Sequence, residues 1–325
     1  CSSSRHALAS CGIRMAALGS SSWPFFSSWL LLCATVPAAF TVSHFDLPTR
    51  IRRVVGGQAQ PREATAALTA IESSFAEVPG GVFLCGGTLI APRIVITAAH
   101  CLYNEDLASY ASAVKVVVNA YNRSRDGKEI LTNKITLHPS YIASKFSPAS
   151  DVALLELPEA VDICTHFHSP QVARLPLRSM LVSELSNASC YILGWGKTAY
   201  ANESPIPLHA DVTNVREAFE VGAAMFVLEA DATGEPRACF GDSGGPLICE
   251  VDQLSYLVGV TSEIGGFSEL GSSLPPDSAL RCAGARRLTA FDLRQYMPAI
   301  YELLYKANLY SDVIRAQELC FGRQQ

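Results

Sequence analysis

The sequence predicts an all-β fold of two antiparallel barrels closed off by a helix at the end of the chain. Three observations predict it. Residues 114–118 (Val-Lys-Val-Val-Val) and 130–137 read as strands, and residues 256–260 form a short apolar run. Turn residues separate these runs at short intervals. Helical spacing occurs only late, where Leu293, Met297, Ile300 and Leu304 would share one apolar face. At 325 residues the chain is long enough for a substantial core, as one large domain or two small barrels.

The elements follow in order. Residues 23–40 form an 18-residue run without a charge, ending in small residues around Val36-Pro37-Ala38-Ala39. Residues 1–39 are therefore expected to be a signal peptide or upstream segment, with Met15 a candidate initiator. The alternative is a membrane anchor that is not cleaved, for which the run is short and carries two prolines. Residues 40–53 read as a short propeptide ending in Arg52-Arg53, and residues 305–325 as a C-terminal extension in which Ser311-Asp312 would cap a second helix. The formal net charge of −5, with no Lys/Arg cluster, excludes a nucleic-acid partner. Of the eleven cysteines, Cys1, Cys11 and Cys33 fall in the upstream segment, and export would place the remaining eight, an even number, in an oxidising compartment. No close C-x-x-C spacing occurs, so neither a metal nor a cofactor is expected. Asn122, Asn187 and Asn202 head N-x-S/T glycan acceptors.

The most informative stretch is Ala238-Cys239-Phe240-Gly241-Asp242-Ser243-Gly244-Gly245-Pro246-Leu247. Serine is a weak nucleophile. It needs a base, a group that orients the base, and donors for the oxyanion. Thr97-Ala98-Ala99-His100-Cys101 offers the base, and Ser150-Asp151-Val152-Ala153 offers the orienting carboxylate. The order His, Asp, Ser is one of the known chain orders for such a triad.

These segments resemble the trypsin/chymotrypsin family of serine proteases. Arg53-Val54-Val55-Gly56-Gly57 is similar to its activation site. Cys85-Gly86-Gly87-Thr88, His138-Pro139-Ser140-Tyr141 and Gly194-Trp195-Gly196 match further landmarks in the same order. The resemblance covers roughly residues 54–304, taken as the protease domain, and implies two six-stranded barrels. It implies His100 as base, Asp151 as its orienter and Ser243 as nucleophile. Backbone N–H groups of Gly241 and Ser243 would form the oxyanion hole. It also implies cleavage after Arg53, which would free the Val54 ammonium to pair with Asp242. Cys85–Cys101, Cys190–Cys249 and Cys239–Cys282 should pair, which leaves Cys164 with Cys320. A further family disulfide is lost, its position taken by Val227. Protein or peptide substrates, an activating protease and secretion follow from the same resemblance.

The chain departs from that family at the substrate pocket. Arg237 lies six residues before Ser243, where trypsin-like members carry an aspartate. A guanidinium there would repel basic side chains. It either accepts acidic side chains or is neutralised, with Glu263 as partner, to leave a shallow apolar site. Ser262 matches the serine that supports the triad aspartate, but Glu263-Ile264 follow it in place of Trp-Gly. Phe240 should either flank the pocket mouth or serve in packing, Leu288 should fill a glycine position in the far wall, and residues 267–281 read as an insertion. A non-catalytic homologue that binds partners is the competing function.

Overall fold

The computed structural model describes residues 57–142, 145–166, 168–176, 180–198, 201–212, 215–220, 223–229, 238–265, 281–282, 285, 287–306 and 308–322. The expected signal peptide, propeptide and Arg53–Val54 junction lie outside the described residues, as do Arg237 and most of residues 267–281.

Two antiparallel sheets dominate. The first runs Lys128–Thr132, Ala113–Val118, Leu68–Ser74, Phe83–Ala91, Ile94–Thr97, Ala153–Glu156, Lys134–Leu137 in spatial order. Its two outer strands are consecutive in the chain, parted only by Asn133. One bent strand therefore serves both edges, and the sheet closes as six strands. The predicted strand over residues 130–137 is thus interrupted. At the break Thr132 Oγ1 donates to the Glu156 carbonyl at 2.6 Å and accepts from Lys134 N at 3.2 Å. The second sheet runs Gln58–Ala59, Leu208–Val212, Ser189–Gly194, Pro246–Val251, Leu254–Gly265, Arg287–Asp292, Ala223–Glu229, Arg216–Glu220. Here too the chain passes within a few residues from Leu208–Val212 to Arg216–Glu220 on the opposite edge. Closure again gives six strands, with Gln58–Ala59 added outside, and leaves few open edges.

The strands form where β-branched and apolar residues alternate or run together. Val114, Val116, Val117 and Val118 are all buried, while Lys115 reaches Glu72 and Glu129 at the surface. Each barrel has its own apolar cluster. Leu68, Ala70, Val117 and Ala120 of the first meet Leu193 and Trp195 of the second in another. Val227, where the family disulfide is missing, is 3 % exposed and packs with Met225 and Ala149.

The predicted helix face is real. Leu293, Met297, Ile300 and Leu304 of helix Leu293–Lys306 are buried in the cluster of the first barrel. A second helix, Tyr310–Phe321, follows, but Ser311-Asp312 do not cap it. Leu309 N bonds the Leu304 carbonyl at 2.7 Å, and Asn308 takes φ 60°, which turns the chain so that the new helix starts at Tyr310. Asp312 falls in its first turn, where a carboxylate suits the helix dipole. Buried Gln317 then pins the helix, accepting from Leu175 N at 3.0 Å and donating to the Ala173 carbonyl at 2.9 Å. Among the described residues no helix is long and apolar enough to cross a membrane.

The described residues hold four disulfides: Cys85–Cys101, Cys190–Cys249, Cys239–Cys282 and Cys164–Cys320. The last closes a loop of sequence separation 156. Replacing both Cys164 and Cys320 by serine should cost about 2–5 kcal/mol, because the unfolded chain regains the freedom that this long loop removes. Urea unfolding checks it; an unchanged midpoint would mean that Gln317 and the helix packing suffice.

Candidate active site

Strand Ile94–Thr97 delivers His100 through a tight turn, Ala99–Cys101, that the Cys85–Cys101 disulfide holds down. Asp151 follows another short turn, Pro148–Ser150, capped by the Ser147 hydroxyl accepting from Ala149 N at 3.3 Å. The two residues meet: His100 Nδ1 lies 2.7 Å from Asp151 Oδ2, and His100 N donates to Asp151 Oδ1 at 2.9 Å. The Ser262 hydroxyl donates to Asp151 Oδ2 at 2.5 Å. Asp151 is 2 % exposed, and all three bonds favour its ionised form. Burial alone would raise its pKa, but the His100 charge and hydrogen bond, then Ser262, hold it below the ordinary carboxylate value. For His100, burial opposes the imidazolium. The Asp151 charge and hydrogen bond, with Glu263 and Glu105 adding to them, outweigh this and lift the ring above the ordinary histidine value.

Ser243 sits in a turn fixed to both barrels. Its carbonyl accepts from Gly86 N at 2.7 Å in the first, and Gly244 N donates to the Thr261 carbonyl at 2.7 Å in the second. Gly244 takes φ +77°, and a Cβ there would lie 2.2 Å from Thr97 Oγ1, so the position accepts only glycine. Gly241 takes φ +96°. The N–H groups of Gly241 and Ser243 have no acceptor among the described residues. The Ser243 hydroxyl donates to the Ser262 carbonyl at 3.3 Å, and no hydrogen bond joins it to His100. Ser243, His100 and Asp151 nevertheless line one cleft of about 370 Å³.

Asp242 points the other way and is 2 % exposed. Its carboxylate accepts from Gly196 N at 2.8 Å and Cys239 N at 2.9 Å, with no cation among the described residues. The glycines of the Gly194-Trp195-Gly196 segment make room for it. A Cβ at either would come within 2.4 Å of the carboxyl group. Burial pushes the Asp242 pKa up to about 6, against the pull of the two N–H bonds.

Of the expected pocket residues, Phe240, Ser262 and Glu263 line the cleft. Leu288 does not. It is buried in the core of the second barrel, opposite Leu228 and Ile264. The neighbouring strand Leu254–Gly265 shifts register between Thr261 and Ile264, so counting residues misplaces Leu288. That bulge turns Ser262 toward Asp151, while the Glu263 backbone bonds the Thr289 hydroxyl. Sequence reasoning missed Glu105. It lines the cleft and accepts from the buried Tyr141 hydroxyl at 2.8 Å. No local pattern marks it.

The chain matches the trypsin family model over residues 54–277. It belongs to the trypsin family. Chymotrypsin-like elastase family member 1 of Homo sapiens is 31% identical over 228 residues, covering 67% of this chain and 83% of the relative. The protein of the same name from Canis lupus familiaris is 30% identical over 259 residues, 76% of this chain and 90% of the relative. That from Bos taurus is 29% identical over 255 residues, 75% and 90%. As a trypsin-family member the chain is related to hydrolases of the serine protease kind, which act on proteins or peptides.

Proposed function

We propose that the chain is a secreted serine endopeptidase made as a zymogen, cleaving peptide bonds through an acyl-enzyme on Ser243. The observation that carries this reading is the hydrogen-bonded His100–Asp151–Ser262 set on the same cleft as Ser243. His100 takes the Ser243 proton and returns it to the leaving amine, and Asp151 keeps the imidazole oriented and stabilises its cation. The hydroxyl must first turn from the Ser262 carbonyl toward Nε2, a rotation about one side-chain bond. The unpartnered N–H groups of Gly241 and Ser243 receive the oxyanion. Export through residues 1–39, cleavage after Arg53 and glycans at Asn122, Asn187 and Asn202 belong to the same proposal.

A base must be neutral to accept a proton. With His100 held above the ordinary value of 6.5, the acid limb of kcat/KM should have its midpoint above pH 6.5. Glu105→Gln should move that midpoint downward by removing one nearby negative charge. A pH–rate profile of both proteins checks it, and an unmoved limb would show that Glu105 is not felt at the ring.

Specificity is decided at Arg237. The relatives carry the name elastase, and elastase has a small pocket for the residue before the cut. This favours cleavage after small or apolar residues, with Arg237 neutralised. The test is a cleavage-site profile of the protein activated at Arg53–Val54, on a diverse peptide library. Cleavage after Asp or Glu would instead make Arg237 the direct reader of substrate charge. Arg237→Asp should shift preference toward basic residues; no shift would remove Arg237 from the pocket. A chain that rejects basic residues does not activate itself, so another protease must cut after Arg53.

A second reading, a non-catalytic homologue that binds peptides, draws on the Ser243–Ser262 bond and on Glu263-Ile264. Labelling of Ser243 by a fluorophosphonate probe separates the two, since only an activated serine reacts.

A further inference from the structure

A second cavity, of about 440 Å³, shares no lining residue with the cleft around Ser243. Arg174 lines it, half-buried. Its guanidinium lies 4.2 Å from the Phe321 ring centre and 5.8 Å from that of Tyr256. Among the described residues the Arg174 side chain has no ion pair and no hydrogen bond. Aromatic rings interact with guanidinium faces but leave the edge N–H donors unanswered, and five such donors form a fork shaped for a carboxylate. The side-chain amides of Gln60 and Gln171, on the same wall, also have no hydrogen-bond partner among the described residues. Thr88 is only 1 % exposed, lines the same cavity, and its hydroxyl is unpartnered. A buried hydroxyl in that state costs free energy unless something answers it.

Much of the remaining lining is apolar, including Leu68, Val172, Pro246 and Ile248. Two exposed carboxylates, Glu63 and Glu250, also face the cavity. They disfavour a multiply charged anion. His209 adds a ring stacked at 4.5 Å on Tyr191 and is paired with Asp211. Unpaired donors, apolar walls and this volume together fit a compact organic ligand with one anionic head. We propose that this cavity is a binding site for a small organic carboxylate, its head on the Arg174 guanidinium and its apolar body between the two barrels.

Benzoate and its neutral isostere benzamide are the probes, added to the full chain while thermal unfolding and calorimetric heats are followed. Benzoate should raise the unfolding temperature saturably, and benzamide should not. Arg174→Met should weaken benzoate binding about tenfold or more, the loss of a charge-assisted bond. If that variant does not fold, Arg174→Lys keeps the charge and stem but loses the planar fork, and should also bind more weakly. Arg237→Met should leave the effect intact, which separates this cavity from the catalytic cleft. No saturable effect, equal affinity in the Arg174 variants, or loss with Arg237 alone would overturn the proposal and leave Arg174 as a stacking clamp on the last helix.

Discussion

Ser243→Ala should lower peptide hydrolysis by roughly 10⁶-fold, to the residual rate that oxyanion donors and substrate binding alone support. The reasoning is geometric. Asp151 holds the His100 ring through Nδ1 and through the His100 backbone, and Nε2 meets only the disulfide sulfur of Cys101, at 3.8 Å, so it remains available to a nucleophile on the cleft wall. Ser243 is the candidate nucleophile there, since the Ser262 hydroxyl is already committed to Asp151. Stability should change little. The Ser243 hydroxyl makes one 3.3 Å bond, to the Ser262 carbonyl, worth at most about 1 kcal/mol. The turn itself is held by the backbone bonds from Gly86 N and Gly244 N, which alanine keeps. Steady-state hydrolysis measured beside urea unfolding gives both numbers. Activity within tenfold of wild type would sink Ser243 as the nucleophile. Lost activity with an equally lost fold would show that the turn needs the hydroxyl for structure.

Much of this fold was legible because its signals are local. Val114 to Val118 form a β-branched run around one lysine, as a strand allows, and the four apolar residues from Leu293 to Leu304 bury one helix face as their spacing requires. The motif residues were equally legible, since Gly244 and the glycines around Trp195 have no room for a Cβ and so leave a fixed trace in the sequence. What was not legible depends on register and on distant packing. The break at Asn133 closes a barrel yet looks like the middle of one strand. The bulge at Ser262 and Glu263 changes which residue of the facing strand meets the cleft, and a slip of one residue exchanges the two faces. Hence Leu288 lies in the core. Glu105 meets its cleft partner, the Tyr141 hydroxyl, only across 36 residues of sequence.

Cleavage after Arg53 should stabilise the protein at neutral pH and change the sign of its acid response. Among the described residues no cation faces the buried Asp242, and burial pushes its pKa up from 3.8 to about 6. Folding then favours the protonated acid. The uncleaved chain is penalised little below pH 4, loses stability as pH rises toward 6, and above that carries a cost of about 3 kcal/mol. A Val54 ammonium placed against this carboxylate reverses the balance. Its charge favours the ionised acid, so the cleaved form should instead lose stability as pH falls. Urea unfolding of cleaved and uncleaved Ser243→Ala protein between pH 4 and 8 measures the difference without self-digestion. The gap should be largest near pH 7 and close toward pH 4. Activity should follow the same pair, because the N–H donors of Gly241 and Ser243 flank Asp242 in the chain. Asp242→Ala in the cleaved, otherwise wild-type enzyme should lower kcat by at least 10²–10³-fold, the effect of losing one oxyanion donor. Two forms with the same pH dependence would mean that Val54 does not reach Asp242, and that activation, if cleavage still produces it, works through another contact.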